Sequence, residues 1–136
     1  MSHIYLLDTN TVSYIIKDKF PAARARLSAL DSQQVGISCI TEGELRYGLA
    51  KSGSDRRRHA VERLLGGLTI HPWGREAAAA YGFLRANQER IGRILEPLAM
   101  QIAAHAIALN ATLVTHDAAF QQVTGLPAIE DWATDL

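Results

Sequence analysis

The sequence lacks the usual features of membrane proteins, of disulfide-bonded proteins and of secreted proteins. Cys39 is the one cysteine among 136 residues, so no disulfide can form within the chain, which favours a reducing compartment. No apolar run approaches the roughly 18 residues that span a bilayer. The start, MSHIYLLD, lacks the basic and apolar regions of a signal peptide. We therefore expect a cytoplasmic protein without membrane contact.

The chain also lacks net charge and the usual metal-binding or nucleotide-binding motifs. Its 14 Lys and Arg residues balance 14 Asp and Glu residues, so any nucleic acid must be bound by a local basic patch. The 5 histidines lack the short spacing of a zinc site, and His105 is expected in the core or at an interface. No Gly-x-Gly-x-x-Gly or Walker sequence occurs. Zinc enzymes and the common nucleotide-binding folds are thereby excluded.

The stretch from Ile4 to Asn10 is the one around which the rest of the chain is organised. Four apolar or aromatic residues lead directly into Asp8, Thr9 and Asn10, as at the end of a buried parallel strand. Ligands of parallel α/β sheets bind just outside such strand ends. Asp is also a common helix N-cap, so this stretch alone leaves Asp8 either as a ligand or as a cap.

Strand and helix signals alternate along the whole chain. Short apolar runs predict strands, and helical spacing, proline at first turns and a possible Thr41–Glu44 capping box predict helices. We therefore expect a single domain, residues 1–136, with a three-layer α/β architecture and a mainly parallel sheet of about four or five strands. The predicted strands cover 4–7, 35–38, 68–71, 112–115 and 129–132, and the predicted helices cover 11–17, 22–30, 41–52, 55–66, 77–88 and 97–109.

Three acids follow strands at equivalent places in this pattern. Asp8 closes the first strand, Asp117 closes the fourth, and Glu44 lies one turn into the helix after the second. Parallel strands end at one edge of a sheet, so the three carboxylates can be neighbours. Crowded carboxylates raise one another's pKa unless a cation lies between them, and such oxygen-rich sites suit Mg²⁺ or Mn²⁺.

Each acid also has a purely structural interpretation. Glu44 could complete a capping box with Thr41, and Asp117 could cap the helical turn that follows it. We expect Asp131 to be a surface acid and Glu42 to face away from Glu44 on its helix. The joint pattern favours a shared site over three separate caps.

Blocks in the same order resemble those of a known family. They are Leu6-Leu7-Asp8-Thr9-Asn10, Thr41-Glu42-Gly43-Glu44-Leu45-Arg46-Tyr47-Gly48, Ile102-Ala103-Ala104-His105-Ala106, Leu113-Val114-Thr115-His116-Asp117 with Phe120, and Glu130-Asp131-Trp132. Over essentially the full length the chain resembles the PIN domain, and within it the VapC-type toxins of bacterial toxin–antitoxin pairs. The resemblance implies an endoribonuclease that depends on Mg²⁺ or Mn²⁺, with Asp8, Glu44 and Asp117 in its acidic cluster.

Ala99 departs from that family pattern. The family usually has an aspartate at this position, in the first turn of the helix that carries the Ile-Ala-Ala-His block, where the helix dipole also favours an acid. The alanine indicates either a deliberate knockout, made so that a toxic nuclease can be expressed, or a naturally inactive member, and we favour the knockout. We do not expect Glu96, three residues upstream, to substitute. The catalytic and metal positions are therefore Asp8, Glu44, Ala99 and Asp117, with cleavage impaired by Ala99.

The resemblance also implies partners. It predicts a VapB-type antitoxin whose C-terminal segment blocks the acidic pocket, a toxin homodimer, operator DNA bound only through the antitoxin, and structured RNA, notably tRNA and initiator tRNA, as substrate. The candidate phosphate-binding residues are Arg46, Lys51, Arg56, Arg57, Arg58, Arg90 and Arg93, any of which could instead be a solvated surface cation.

Two other functions remain open. A phosphatase with a nucleophilic aspartate would resemble Asp-x-Asp after the first strand, whereas this chain has Asp8-Thr9-Asn10. A catalytically inactive PIN module that only binds its antitoxin would fit Ala99.

Overall fold

The centre of the fold is a parallel sheet. The computed structural model describes residues 3–133, and within them five strands form one sheet in the order β3-β2-β1-β4-β5, every neighbouring pair parallel. The strands are β1 (Tyr5–Leu7), β2 (Val35–Ser38), β3 (Thr69–His71), β4 (Thr112–Val114) and β5 (Ala128–Glu130). The expected α/β class and strand number are therefore confirmed for this part of the chain; residues 1–2 and 134–136 of the predicted domain lie outside it.

Helices connect the strands close to where the sequence predicts them. They are α1 (Thr9–Ile16), α2 (Pro21–Ser28), α3 (Cys39–Ser52), α4 (Asp55–Gly66), α5 (Arg75–Arg90) and α6 (Pro97–Leu109), followed by a short 3-10 helix (Ala118–Gln122). Pro97 occupies the first turn of α6, and the helix ends at Asn110 in the left-handed conformation, φ 53°. No helix within residues 3–133 is both long and apolar enough to cross a membrane.

Two hydrophobic cores lie on opposite faces of the sheet. Successive side chains of a strand point to opposite faces, so Leu6 of β1 packs in one core with α5 and α6, while Leu7 packs in the other with α1, α3 and α4. On β4, Leu113 and Val114 alternate in the same way. Both faces of the sheet are therefore covered, which is the three-layer arrangement expected of a parallel sheet.

Two local predictions are wrong. The expected capping box between Thr41 and Glu44 does not form, because β2 runs directly into α3 and the helix begins two residues before Thr41. Ser38 is the N-cap, and its hydroxyl accepts a hydrogen bond from the Ile40 N–H at 3.1 Å. The last strand ends at Glu130, so Trp132, expected within it, instead lies beyond the strand and packs in the core on the α1 side.

Gly36 allows β2 and β3 to approach closely. A Cβ built on Gly36 would lie 2.5 Å from the Thr69 carbonyl oxygen and 2.8 Å from Nε2 of His71. The imidazole of His71 packs near that of His105, with ring centroids 6.2 Å apart, and burial lowers the pKa of both. His105 is 2% exposed, which confirms the expectation that it is a core histidine.

Candidate active site

The candidate site lies where the sheet topology changes direction. β1 has β2 on one side and β4 on the other, so the connections leaving β1 and reaching β4 run to opposite sides of the sheet. In open α/β sheets a crevice opens at such a switch point, outside the carboxyl ends of the strands. Asp8 directly follows β1, and Asp117 follows β4, at this crevice.

Asp8 is a helix cap and a site residue at once. Its Oδ1 accepts a hydrogen bond from the Thr11 N–H at 2.9 Å, which caps α1, and its Oδ2 accepts one from the Thr115 hydroxyl at 2.6 Å. The side chain is only 4% exposed. Burial raises the pKa of this carboxyl, the hydrogen bonds from Thr115 and Thr11 oppose the rise, and the charge of Asp117 adds to it. The Asp8 carboxylate is thus held in one orientation, and its surroundings compensate its negative charge only in part.

Glu44 points towards the same place from α3. Its Oε1 accepts a hydrogen bond from the hydroxyl of Thr9, which also lies 3.3 Å from the hydroxyl oxygen of Thr41. Thr9 stands in the first turn of α1, one residue after Asp8. The hydrogen bond therefore fixes the position of Glu44 relative to Asp8, a role different from the predicted cap.

Asp117 caps the 3-10 helix and is coupled to Asp8 through Thr115. Its Oδ1 accepts a hydrogen bond from the Ala119 N–H at 2.9 Å. Its own N–H donates to the hydroxyl oxygen of Thr115 at 3.0 Å, and that hydroxyl donates to Asp8. A single buried threonine therefore links the two acids.

These acids and Ala99 line one cleft. Its volume is about 210 Å³, and every titratable residue on its wall, namely Asp8, Glu44, Glu96 and Asp117, is an acid. Ala99, half-buried in the first turn of α6, lines the same cleft together with Phe120. The structure thus brings together all four predicted positions, and it adds Glu96, whose carboxylate accepts from the Leu98 N–H at 3.3 Å as the N-cap of α6.

The donor set of the cleft fits a hard divalent cation with most of its hydration shell retained. Carboxylate oxygens are the ligands that Mg²⁺ and Mn²⁺ prefer, and Mg²⁺ is commonly held by one or two carboxylates and several waters. No group of three or more His, Cys, Asp or Glu side chains among residues 3–133 is arranged to enclose a metal ion. A dehydrated cage is therefore not available from these residues, and Ala99 contributes no oxygen to the cleft.

The sequence did not point to Thr9 or Thr115 as functional residues. The signal for Thr115 is its spacing from Asp117, because a threonine hydroxyl can accept from the N–H two residues on and so position a neighbouring acid. Thr9 has no comparable local signal, since it contacts Glu44, a residue of another helix that is 35 positions further along the chain.

The other predicted residues have separate structural roles. Arg46 is paired with Glu42 and Glu62, at 2.9 Å and 3.2 Å, which confirms that Glu42 faces away from the cleft and leaves Arg46 partly neutralised. Asp131 is half-buried and is paired with Nδ1 of His116 at 2.8 Å, so it is not a simple surface acid.

Comparison with known proteins identifies relatives over almost the whole chain. The PIN domain family matches residues 5–126. The tRNA(fMet)-specific endonuclease VapC of Salmonella typhimurium is 35% identical over 130 residues, covering 94% of this chain and 97% of that protein. Ribonuclease VapC2 of Rickettsia felis is 34% identical over 132 residues, covering 95% and 98%. In the crystal structure of VapBC2 from Rickettsia felis bound to promoter DNA, the matching chain has a TM-score of 0.89, 34% identity, and coverage of 95% of this chain and 98% of that one.

Proposed function

This chain belongs to the PIN-domain family, and we propose that it is the ribonuclease toxin of a VapBC-type toxin–antitoxin pair. As one domain of residues 1–136, it hydrolyses RNA in the acidic cleft with Mg²⁺ or Mn²⁺. The observation that carries the proposal is the cleft itself: Asp8, Glu44 and Asp117 meet with position 99 at the switch point of the sheet.

The residues of the cleft have complementary tasks in this hydrolysis. A bound Mg²⁺ or Mn²⁺ would supply an activated water and would stabilise charge on the phosphodiester. Asp8 and Asp117 would hold it, and Thr115 joins the Asp8 carboxylate to the backbone N–H of Asp117. Glu44, oriented by Thr9, would hold a metal-bound water or accept the proton of the attacking water.

Ala99 accounts for the incomplete acid set. An aspartate there would project from the first turn of α6 into the same cleft, where the helix dipole favours a negative charge. Residues that act as a unit lose most of their effect when one is removed, so the chain with alanine should cleave RNA orders of magnitude more slowly than with aspartate.

Substrate and partners follow from the relatives. The Salmonella relative is named for initiator tRNA, so we propose tRNA, and initiator tRNA first, as the substrate of this chain. The Rickettsia structure is a VapBC complex on promoter DNA, so we propose a VapB-type antitoxin as partner and DNA contact through that antitoxin. A toxin homodimer is proposed on family grounds.

The proposal is tested by restoring the acid. Ala99→Asp should cleave bulk tRNA in the presence of Mg²⁺ or Mn²⁺, and a chelator should abolish the cleavage. Ala79→Asp provides the matched control, because it adds the same charge on an exposed face of α5 away from the cleft. Adding Asp8→Asn to Ala99→Asp should remove the activity. An inert Ala99→Asp protein that still binds metal would refute the active-site assignment.

A second candidate function is the catalytically inactive module that only binds its antitoxin. It is favoured by Ala99, which lines the cleft without supplying an oxygen ligand. The Ala99→Asp variant distinguishes the two candidates. If the chain is an inactive module, Ala99→Asp does not cleave RNA even when a titration shows that it binds Mg²⁺ or Mn²⁺. If the chain is an enzyme, Ala99→Asp gains metal binding and RNA cleavage together.

A further inference from the structure

A second groove opens beside the acidic cleft and shares two of its residues. It runs between α1 and α3 and is closed on one side by α4, with a volume of about 130 Å³; we call it the α1–α3 groove. Thr9 and Glu44 belong to both cavities, so the groove continues from the acidic cleft. Its other polar walls come from Ser13, Lys17 and Arg57, and its floor is formed by apolar side chains such as Leu45 and Val61.

The charge of this groove is opposite to that of the cleft. Lys17 stands at the C-terminal end of α1 and Arg57 in the first turns of α4, and both side chains are exposed. Within residues 3–133 neither forms an ion pair, whereas Arg24, Arg26, Arg46 and Arg85 all do. Lys17 and Arg57 are therefore cations whose charge is available to an anion in the groove.

The spacing suits a nucleic-acid strand that starts in the acidic cleft. The 8 residues of α1 separate Asp8 at its N-terminus from Lys17 at its C-terminus, a distance of about 14 Å at about 1.5 Å per residue step. Because stacked nucleotides advance about 3.4 Å each along a strand, the groove extends beyond a single nucleotide. Ligand sites in proteins are mostly apolar and have a few polar or charged groups that orient the ligand, and this groove has that composition.

We propose that the α1–α3 groove is a substrate subsite of the proposed ribonuclease, holding the RNA next to the cleaved bond, with Lys17 and Arg57 binding a backbone phosphate. The inference rests on the proposed function, which supplies RNA as the ligand. Arginine and lysine bound to phosphate form charge-assisted hydrogen bonds, and the planar guanidinium of Arg57 can bind two phosphate oxygens at once. The groove and the acidic cleft would thus position the RNA strand by their opposite charges. A phosphate is attracted by Lys17 and Arg57 in the groove, and it is repelled by the acids of the cleft unless a cation is present.

Gly48 allows a direct test, because it lines the groove without a side chain. A Cβ built on Gly48 meets nothing within 4 Å, so larger residues here extend into open space without a clash. Replacing a helical glycine also favours the helix. Gly48→Glu should therefore leave the fold intact and place a carboxylate where the phosphate is proposed to bind, and Gly48→Gln adds the same bulk without charge.

The first experiment measures binding of bulk tRNA to the chain with Ala99 retained, as a function of salt. Lys17→Gln and Arg57→Gln should each weaken binding about tenfold. Each should also reduce the slope of log K against log salt by about 1. Arg63→Gln is the matched control, since Arg63 lies exposed on the same helix outside the groove, and it should change neither value. Gly48→Glu should weaken binding more than Gly48→Gln. Gly82→Glu, at an exposed position of α5, should have no effect.

The second experiment repeats the groove variants in the Ala99→Asp protein and measures kcat/KM for the same tRNA. A loss in kcat/KM for Arg57→Gln and Gly48→Glu, with Arg63→Gln unchanged, supports the subsite. Cleavage that is unaffected by every groove variant overturns the subsite but leaves the proposed function standing. If Ala99→Asp is inert, the proposed function fails, and the binding series still decides the subsite. Groove variants that leave tRNA binding unchanged but weaken the cognate antitoxin would assign the groove to that protein and also overturn the proposal.

Discussion

Replacing Asp8 separates its two roles, because one substitution keeps the cap and another removes it. Asp8→Ala removes the acceptor of the Thr11 N–H, a cap worth about 1 kcal/mol, and leaves the Thr115 hydroxyl without its acceptor. An unmatched buried donor costs about 1–3 kcal/mol. Asp8→Asn keeps an oxygen for the Thr11 N–H and removes the buried charge. The amide nitrogen of asparagine cannot accept from the Thr115 hydroxyl, so both variants leave that donor unmatched and they differ in the cap. We therefore expect Asp8→Asn to be more stable than Asp8→Ala by about 1 kcal/mol, or about 4 °C in Tm for a domain of this size.

The same reasoning predicts how stability depends on pH. Burial raises the pKa of Asp8 in the folded state above its value of 3.8 in the unfolded chain, so the folded state binds more protons between the two values. Asp8 therefore contributes its full stability below pH 3.8, and that contribution is lost as pH rises through the folded pKa. The free energy of unfolding of the unaltered chain should therefore fall relative to that of Asp8→Asn as pH rises from about 4. Above the folded-state pKa of Asp8, the difference between the two proteins should stay constant.

The assay is chemical denaturation of the three proteins from pH 4 to 8 without metal, followed by Mg²⁺ or Mn²⁺ at pH 7. Added metal should stabilise the unaltered chain by mass action and affect Asp8→Asn much less. If the unaltered chain does not lose stability relative to Asp8→Asn between pH 4 and pH 8, the buried charge is not a cost and the account of Asp8 is wrong.

Two further predictions concern the residues around the acids and the sheet. In the Ala99→Asp protein, Thr115→Val should lower kcat strongly, because Asp8 and Asp117 lose their shared hydroxyl, and Thr115→Ser should restore most of the rate; equal rates for the two variants would contradict a positioning role. Gly36→Ala should destabilise the fold by about 3 kcal/mol in urea denaturation, because the new methyl would collide with backbone at Thr69, and a loss below about 1 kcal/mol would show that β3 moves aside easily.

The strand ends and acid positions were predictable because they follow from short-range patterns. Apolar runs located the strands, Pro97 and Asn110 located the ends of α6, and the rule that parallel strands end at one edge brought Asp8 and Asp117 together. The two interpretations of Asp8 were not alternatives, since the geometry that caps α1 leaves its second oxygen at the site.

The features that escaped prediction depend on contacts between distant segments. The capping box at Thr41 matched the sequence pattern, but β2 passes into α3 without a loop, so Ser38 takes the cap instead. The hydrogen bond from Thr9 to Glu44 joins two helices, and Lys17 and Arg57 come to line one groove only when α1, α3 and α4 pack together. None of these pairings has a local sequence signature.

The measurement that tests the central claim most directly compares Ala99→Asp with Ala99→Asn in single-turnover cleavage of initiator tRNA with Mg²⁺. The two side chains have nearly the same shape and differ in charge, and both would stand in the first turn of α6, in the cleft that Asp8 also lines. The account predicts that Ala99→Asp cleaves at least about 100-fold faster than Ala99→Asn, which should remain close to the unaltered chain. Equal rates for the two variants, whether both active or both inert, would contradict a metal-dependent acidic site completed at position 99.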